Sequence, residues 1–541
     1  MQVLAGLSVR ALRRSQSQLR GFATRSWQQQ QQQAVATQGL VLGMFSSQRL
    51  VGGEAAKLSQ EQQQAIVRQA QAVGFKAEAG KVQTVLGTDL AQQIALVGLG
   101  GESADGAVDA RDTTVSEVVR TAVGNGIRQL QARKVTDIGV APLPHIQAAA
   151  EGAGLAQYKF DAFKSKASSA GDKTATVNVR LLEADSDSSW VAGRVYADAQ
   201  NLARDLMNTP ANYMTPAVFA DRVTAEMADL DGVQVKVHDK AWAEAQRMGG
   251  LLTVAKGSSE PLRFVEIVYR GKADSTATGL ALVGKGITFD TGGYSLKPGR
   301  FMDGMKGDMG GGATVVAAMR AIAQLRLPIN VAAVVPLCEN MISGGSAKVS
   351  DVYTSRAGLT VEVMNTDAEG RIVLADALHY VIEEHRPDTV VDVATLTGAM
   401  VVALGELYTG VFTPSPRLWD SITAASHASD EPVWRMPLHD RWDSMLKSPV
   451  ADLSNIGDKS EAGACTAAAF LRQFVHGPRL NPPTVQRDQN NDHTSRPLWA
   501  HLDIAGPMEA AATTGYHYKG MSGRPTRLLI ELAHQMSQPS E

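Results

Sequence analysis

Two apolar patterns alternate along the chain. Short runs that are apolar nearly throughout occur at residues 93–99, 137–143, 263–270, 279–290, 329–337, 360–365 and 389–396, with the length and branched side chains of strands. Stretches with a helical period lie between them, at 114–132, 146–152, 191–208, 313–325 and 368–385. Strands that do not alternate apolar with polar are covered on both faces, and helices in the gaps are the connections a parallel sheet needs. The pattern therefore predicts an α/β protein in two parts. A modest N-terminal α/β domain over 37–190 is joined by a long helix over 191–209 to a larger α/β domain over 210–541, built on a central mixed, largely parallel sheet. The joining helix carries Val195, Ala199, Leu202 and Leu206 on one face, and Thr209-Pro210 and Thr215-Pro216 punctuate the chain after it.

Length and composition fit this division. A chain of 541 residues exceeds one ordinary domain, and 44% hydrophobic with 20% charged residues is the balance of a globular protein. A net charge of −3 gives no footprint for nucleic acid or an anionic membrane surface. Cys338 and Cys465, the two cysteines, stand in apolar surroundings and read as buried free thiols. No apolar run reaches the length of a membrane-spanning helix, so insertion into a membrane is not expected. The N-terminus has a character of its own. Residues 1–53 hold no acid, and Arg10, Arg13, Arg14, Arg20 and Arg25 alternate with apolar positions. That is the composition of a mitochondrial transit peptide, with cleavage expected after Phe22 and a glutamine-rich spacer over 28–33 completing the segment 1–36. The expected location is the mitochondrial matrix, with the cytoplasm as runner-up.

Candidate chemistry begins at residues 365–371, Asn-Thr-Asp-Ala-Glu-Gly-Arg. In an extended segment Asp367, Glu369 and Arg371 project from one face. Alone, the stretch reads as a polar turn before a helix, with Asp367 as its cap. A second stretch changes the balance. Residues 283–293 read Val-Gly-Lys-Gly-Ile-Thr-Phe-Asp-Thr-Gly-Gly, followed by Lys297 and by Asp308 beside a glycine run. Lys285 lies within an otherwise apolar strand, where an ammonium is costly unless it is neutral and donates a lone pair or is paired with carboxylates. In open α/β sheets sites collect at the carboxyl ends of strands, and Asp290 and Asn365 close two of the expected strands. Asp290, Asp308, Asp367 and Glu369 together are more acid than one cavity holds uncompensated, and two divalent cations would balance them. No His-Glu-x-x-His helix occurs, which argues against a single-zinc protease of that class.

These segments resemble the leucyl aminopeptidase (cytosol aminopeptidase) family of dinuclear metallopeptidases. The likeness rests on 365–371 and 283–293, on Asp308 with its following glycines, and on DVATLTGA at 392–399. It continues through AGACTAAAFL at 462–471, WAHLDIAG at 499–506 and GMSGRPTR at 520–527. It spans residues 191–541. The resemblance implies a metal-dependent aminopeptidase that releases leucine-like N-terminal residues from peptides by a two-metal-activated water. One metal ion would be held by Lys285, Asp290, Asp308 and Glu369, and the other by Asp290, Asp367 (side chain and carbonyl) and Glu369, with Zn²⁺ and Mn²⁺ as the expected ions. Lys297 and Arg371 would be catalytic, Lys297 as a cation facing the oxyanion and Arg371 as the holder of a bicarbonate that shuttles a proton. Met305, Asn365, Thr395, Leu396 and Gly398 would bind substrate. The resemblance further implies a homohexamer and no nucleic-acid partner. An alternative is a structural hexameric protein of sperm mitochondria that keeps the fold, but such relatives often lose ligands that this chain retains. Gly304 and Gly307 stand where relatives carry larger residues and are expected to loosen the loop before Asp308 or widen the pocket. The polar stretch 477–497 reads as an insertion.

Overall fold

The structure, a computed structural model, describes residues 37–538 except 52–56, 89–90, 103–107, 110–113, 166–176, 183–186, 273, 460 and 478–495. The expected transit peptide and spacer, and nearly all of the expected insertion, lie outside the described residues. The N-terminal part is a six-stranded sheet in which Thr37–Met44 pairs in parallel with Ala91–Gly98 and Asp137–Val140. Helices Val115–Ala132 and Ile146–Ala156 cover it, burying Val119, Val123, Ile127 and Ala149 against Val41, Val97 and Ile138.

The helix Ser188–Asn208 then crosses to the larger part. It starts because the Asp187 carboxylate accepts from the Ser189 and Trp190 amides, and it lays Ala199, Leu202, Ala203 and Leu206 into the core of the second sheet. A second cap follows at once, where Thr215 accepts from the Val218 amide and Pro216 opens the helix Pro216–Met227.

The second sheet has nine strands. Its middle runs Leu498–Asp503, Thr389–Ala394, Leu280–Gly284 and Asn330–Asn340, all parallel, and antiparallel strands are added at both sides. The central strands are buried on both faces, between helix Gly310–Gln324 on one side and helix Gly370–His385 on the other. This is the mixed, largely parallel sheet that the apolar runs predict. The cysteines Cys338 and Cys465 are free and buried. Among the described residues no helix is long and apolar enough to cross a membrane.

Two expected strands differ. The run 279–290 is not one strand but two, Leu280–Gly284 and Gly286–Asp290, interrupted at Lys285. The break is where the chain parts from one of its two neighbours: Leu280–Gly284 pairs with both Thr389–Ala394 and Asn330–Asn340, whereas Gly286–Asp290 pairs with Asn330–Asn340 and is bulged. The run 360–365 contributes only Thr360–Glu362, and to a separate three-stranded sheet with Val352–Thr354 and Leu453–Ser454. Asn365 therefore closes no strand of the central sheet.

Candidate metal centre

The strand end at Asp290, the turn 365–369 and the start of the helix after Met309 meet at one edge of the central sheet. Asp367 and Glu369 do converge, but by a turn rather than an extended strand. Glu369 has helical backbone angles (φ −79°, ψ −32°) and is itself the residue before the helix Gly370–His385, so Asp367 is not its cap. The turn is held from within, where Asn365 Oδ1 accepts from the Asp367 amide at 2.8 Å. It is held from outside by Asn340, whose Nδ2 donates to Thr366 O at 3.0 Å and to Asp290 Oδ1 at 2.7 Å. Asn340 thus ties the two acidic segments to each other.

Lys285 is buried and paired. Its Nζ lies 2.9 Å from Asp308 Oδ1 and 2.8 Å from Glu369 Oε1, and donates to Thr395 O at 3.1 Å. Burial alone would push the ammonium down, but attraction to Asp308, Glu369 and Asp290 outweighs it and holds Lys285 above its ordinary value. Of the two ways a lysine could sit in this strand, pairing is the one found. Gly370 makes the approach possible, because a Cβ there would lie 2.7 Å from Lys285 Cε and Nζ. Lys297 Nζ lies 2.8 Å from Asp290 Oδ2 and 2.5 Å from Asp367 Oδ1. The tight turn that returns Lys297 to Asp290 uses Gly292 and Gly293 at φ 87° and 62°, the left-handed region that glycine occupies without strain.

The acids are under-compensated even so. Burial first, and then the charge of neighbouring carboxylates, push Asp290 and Asp367 above the ordinary range. Asp308 is also raised, by burial and by Glu369 and Asp290, although Lys285 opposes them. Asp308 Oδ2 is buried with no hydrogen-bond partner, and Asp367 Oδ1 and Glu369 Oε1 face ammonium groups without a well-directed hydrogen bond. Oxygen atoms of Asp290, Asp367 and Glu369 come within 4.8 Å of one another. Bare carboxylate oxygens converging beside buried lysines are the donor set that hard divalent cations take.

All seven residues expected to bind metal or act in catalysis therefore meet at this edge or beside it. Arg371 is buried, its Nη1 donates to Asn455 O at 3.0 Å, and its Nε has no hydrogen-bond partner. Burial lowers its guanidinium to about 10. Thr395 is closer to the acids than a pocket wall need be, since its hydroxyl donates to Asp308 Oδ1 at 2.8 Å. Leu396 approaches Gly370, and its amide donates to Asp503 Oδ1 at 3.2 Å. Met305 lies in the short 3₁₀ helix Asp303–Gly307 leading into Asp308, and Gly398 is exposed with open space where a side chain would stand. The loop before Asp308 is not loosened at Gly307. That residue is buried, and a Cβ there would meet Met521 Cε and Sδ at 2.6 Å, so its smallness serves packing. Gly304 has open space around it.

Comparison with known proteins identifies the family. The model of the cytosol aminopeptidase family's catalytic domain matches residues 201–530, and that of its N-terminal domain matches 41–167. The chain belongs to the cytosol aminopeptidase family. Curated cytosol aminopeptidases from Xenopus tropicalis, cattle and humans are 45%, 41% and 43% identical to it, over 83%, 93% and 85% of this chain and 82%, 94% and 84% of theirs. Among solved structures, the bottromycin maturation enzyme BotP in complex with Mn is similar at 32% identity and a TM-score of 0.77, covering 93% of this chain and all of that one. Membership makes the protein a metal-binding hydrolase of the leucyl aminopeptidase type, acting on peptides. Sequence patterns did not single out Asn340, Asn455 or Asp503. Each is a polar residue buried near the site, but each belongs to a different segment from the residue it holds, and no local spacing links them.

Proposed function

We propose that the protein releases N-terminal, preferably leucine-like residues from peptides, using two divalent cations at the candidate centre. The observation that carries this is the convergence of buried carboxylates from Asp290, Asp308, Asp367 and Glu369 on only two lysines, with Asp308 Oδ2 left bare. One ion would be held by Asp290, Asp308, Glu369 and Lys285, the lysine giving up its proton to become a ligand, and the other by Asp290, Asp367 and Glu369, with Zn²⁺ and Mn²⁺ as candidates. When bound, such ions supply Lewis acidity that activates water and polarises a scissile carbonyl.

The chain's own residues do the rest. Lys297 is kept an ammonium by Asp290 and Glu369, against its burial, and stabilises negative charge growing on the attacked carbonyl oxygen. Arg371 stays a cation at neutral pH and offers its unpartnered Nε to a bicarbonate, which would carry the proton that the permanently charged guanidinium cannot. Met305, Thr395, Leu396 and Gly398 surround the place for the first side chain, and Asn365 shapes the turn beside it. Retention of all seven polar positions favours turnover over a purely structural role in sperm mitochondria. Under the same reading the protein assembles as a homohexamer, which light scattering would measure. The acid-free N-terminus directs it to the mitochondrial matrix, and recovery from cells of a chain starting at Met1 would oppose that.

The test is hydrolysis of leucine p-nitroanilide by purified protein with Mn²⁺ or Zn²⁺, beside a Glu369→Ala control. We expect turnover in the first and its loss in the second. Equal rates in both, or no turnover by the native protein with either metal, overturn the reading.

A further inference from the structure

The geometry points to Asn455 as a positioning residue that sets the shape of the metal-binding turn and the aim of Arg371. The inference rests on the metallopeptidase reading above. Asn455 is fully buried and follows the short strand Leu453–Ser454, which runs parallel to Thr360–Glu362. That pairing lays it alongside the segment that leads into the turn. Its Oδ1 accepts from the Met364 amide at 2.8 Å and from the Asn365 amide at 3.2 Å. Its Nδ2 donates to Asn365 O at 2.6 Å and to Ala368 O at 3.3 Å. Its own carbonyl accepts from Arg371 Nη1 at 3.0 Å, and its own amide donates to Glu362 O at 3.0 Å.

A primary carboxamide has two N–H donors and one oxygen with two lone pairs, and every one of these is used here. The side chain therefore reads both polarities of the backbone on either side of Asp367. A carboxylate could accept from Met364 and Asn365 but would face two carbonyl oxygens with no hydrogen to give. Serine or alanine would leave buried amides and carbonyls unpaired. The turn so held delivers Asp367 and, two residues beyond it, Glu369. Arg371 is the same distance further on, and its guanidinium is fixed at one edge by Asn455 O while Nε stays unengaged. One residue thus governs both the acids and the arginine, from a segment that carries no acid or base of the centre. A group that orients metal ligands without touching metal typically changes metal affinity or activity by about 10–100-fold when removed.

The experiment titrates Mn²⁺ calorimetrically into metal-free native protein, Asn455→Ala and Asn455→Asp, with Asn330→Ala as a control. Asn330 is another buried asparagine that bridges backbone carbonyls, those of Ser275 and Ala277, far from the acidic turn in the chain. We expect both Asn455 variants to bind Mn²⁺ about 10–100-fold more weakly and Asn330→Ala to lose melting temperature but not affinity. Asn455→Asp keeps the side-chain volume and carries the test if Asn455→Ala does not fold. A double-mutant cycle on kcat with Arg371→Ala adds a second readout: Asn455→Ala should cost less when the arginine is already gone. Native Mn²⁺ affinity in the Asn455 variants, or strict additivity in the cycle, overturns the inference. Calorimetry needs no turnover, so failure of the native protein to hydrolyse peptides would be a separate result.

Discussion

Two buried clusters of charge in this molecule use similar residues and come out in opposite electrostatic states. One is the centre at the strand ends. The other fills the junction between the N-terminal and catalytic parts, where Arg120 Nε meets Glu151 Oε2 at 2.8 Å and Arg120 Nη1 meets Asp430 Oδ2 at 2.8 Å. Arg527 Nη1 reaches the same Glu151 oxygen at 2.9 Å, and the hydroxyls of Thr114 and Ser116 close on Asp430. Burial works against ionised carboxylates in both places. At the junction Arg120 and the hydroxyls outweigh it, and Asp430 is held below the ordinary range. At the strand ends neighbouring acids reinforce it, and Asp290, Asp308 and Asp367 are held above. A guanidinium fork satisfies several acceptors at once in fixed directions, while an ammonium is a point charge that leaves oxygens bare. At the junction Asp430 is supplied with the positive charge it needs, and the centre asks for more than the chain supplies.

The largest effect that could break this contrast is on catalysis. Asp308→Asn removes one of the crowded acids and should lower leucine p-nitroanilide hydrolysis on the order of 10²–10³-fold or more. The same change should leave the melting temperature of the metal-free protein at pH 7 unchanged or raised, because repulsion and a buried charge are both relieved. A scanning fluorimetry trace in which Asp308→Asn melts well below the native metal-free protein would show that the centre is as complete as the junction, and the contrast would be lost. Arg120→Met is the mirror experiment. It strands Asp430 without its cation and leaves Glu151 to Arg527 alone, and removal of one partner of a buried pair costs about 3–5 kcal/mol. Urea unfolding should register that loss, while kcat/KM of the protein that remains folded should not move.

The fold was legible because its central strands are apolar on both faces and its helices carry clear faces, and burial decides such segments more than local preference does. Lys285, Asp290, Asp308, Asp367 and Glu369 were legible as a set because buried like charges demand an explanation. The finer geometry was not. The strand breaks at Lys285, where its pairing with Thr389–Ala394 ends and that with Asn330–Asn340 goes on, and residues 360–365 leave the central sheet for a partner near residue 453. Both outcomes depend on segments distant in sequence. Gly307 shows the same limit: a small residue in a loop reads as freedom, yet here Met521 and Met508 fill the space its missing side chain leaves.

The smallest effect is the one that separates the clusters by pH. Asp430 is held below its unfolded value, so its ionised form contributes stability that is present above the unfolded pKa and is lost as pH falls through the folded one. Asp430→Asn removes that contribution and keeps an acceptor for one of the two hydroxyls, which donate to different carboxylate oxygens. The variant should therefore be less stable than the native protein by about 1.5–3 kcal/mol at pH 7, the scale of a hydrogen bond to a charged group. The difference should hold down to about pH 4 and shrink below it, as the native carboxyl takes up its proton. Denaturant unfolding of both proteins across that range measures the difference directly. A gap that grows on acidification would mean that Asp430 is raised rather than lowered in the folded state, and that the junction shares the deficit of the centre. A gap that closes on acidification would show that Asp430 is stabilised as an anion in the fold, the state opposite to that of Asp308 at the strand ends.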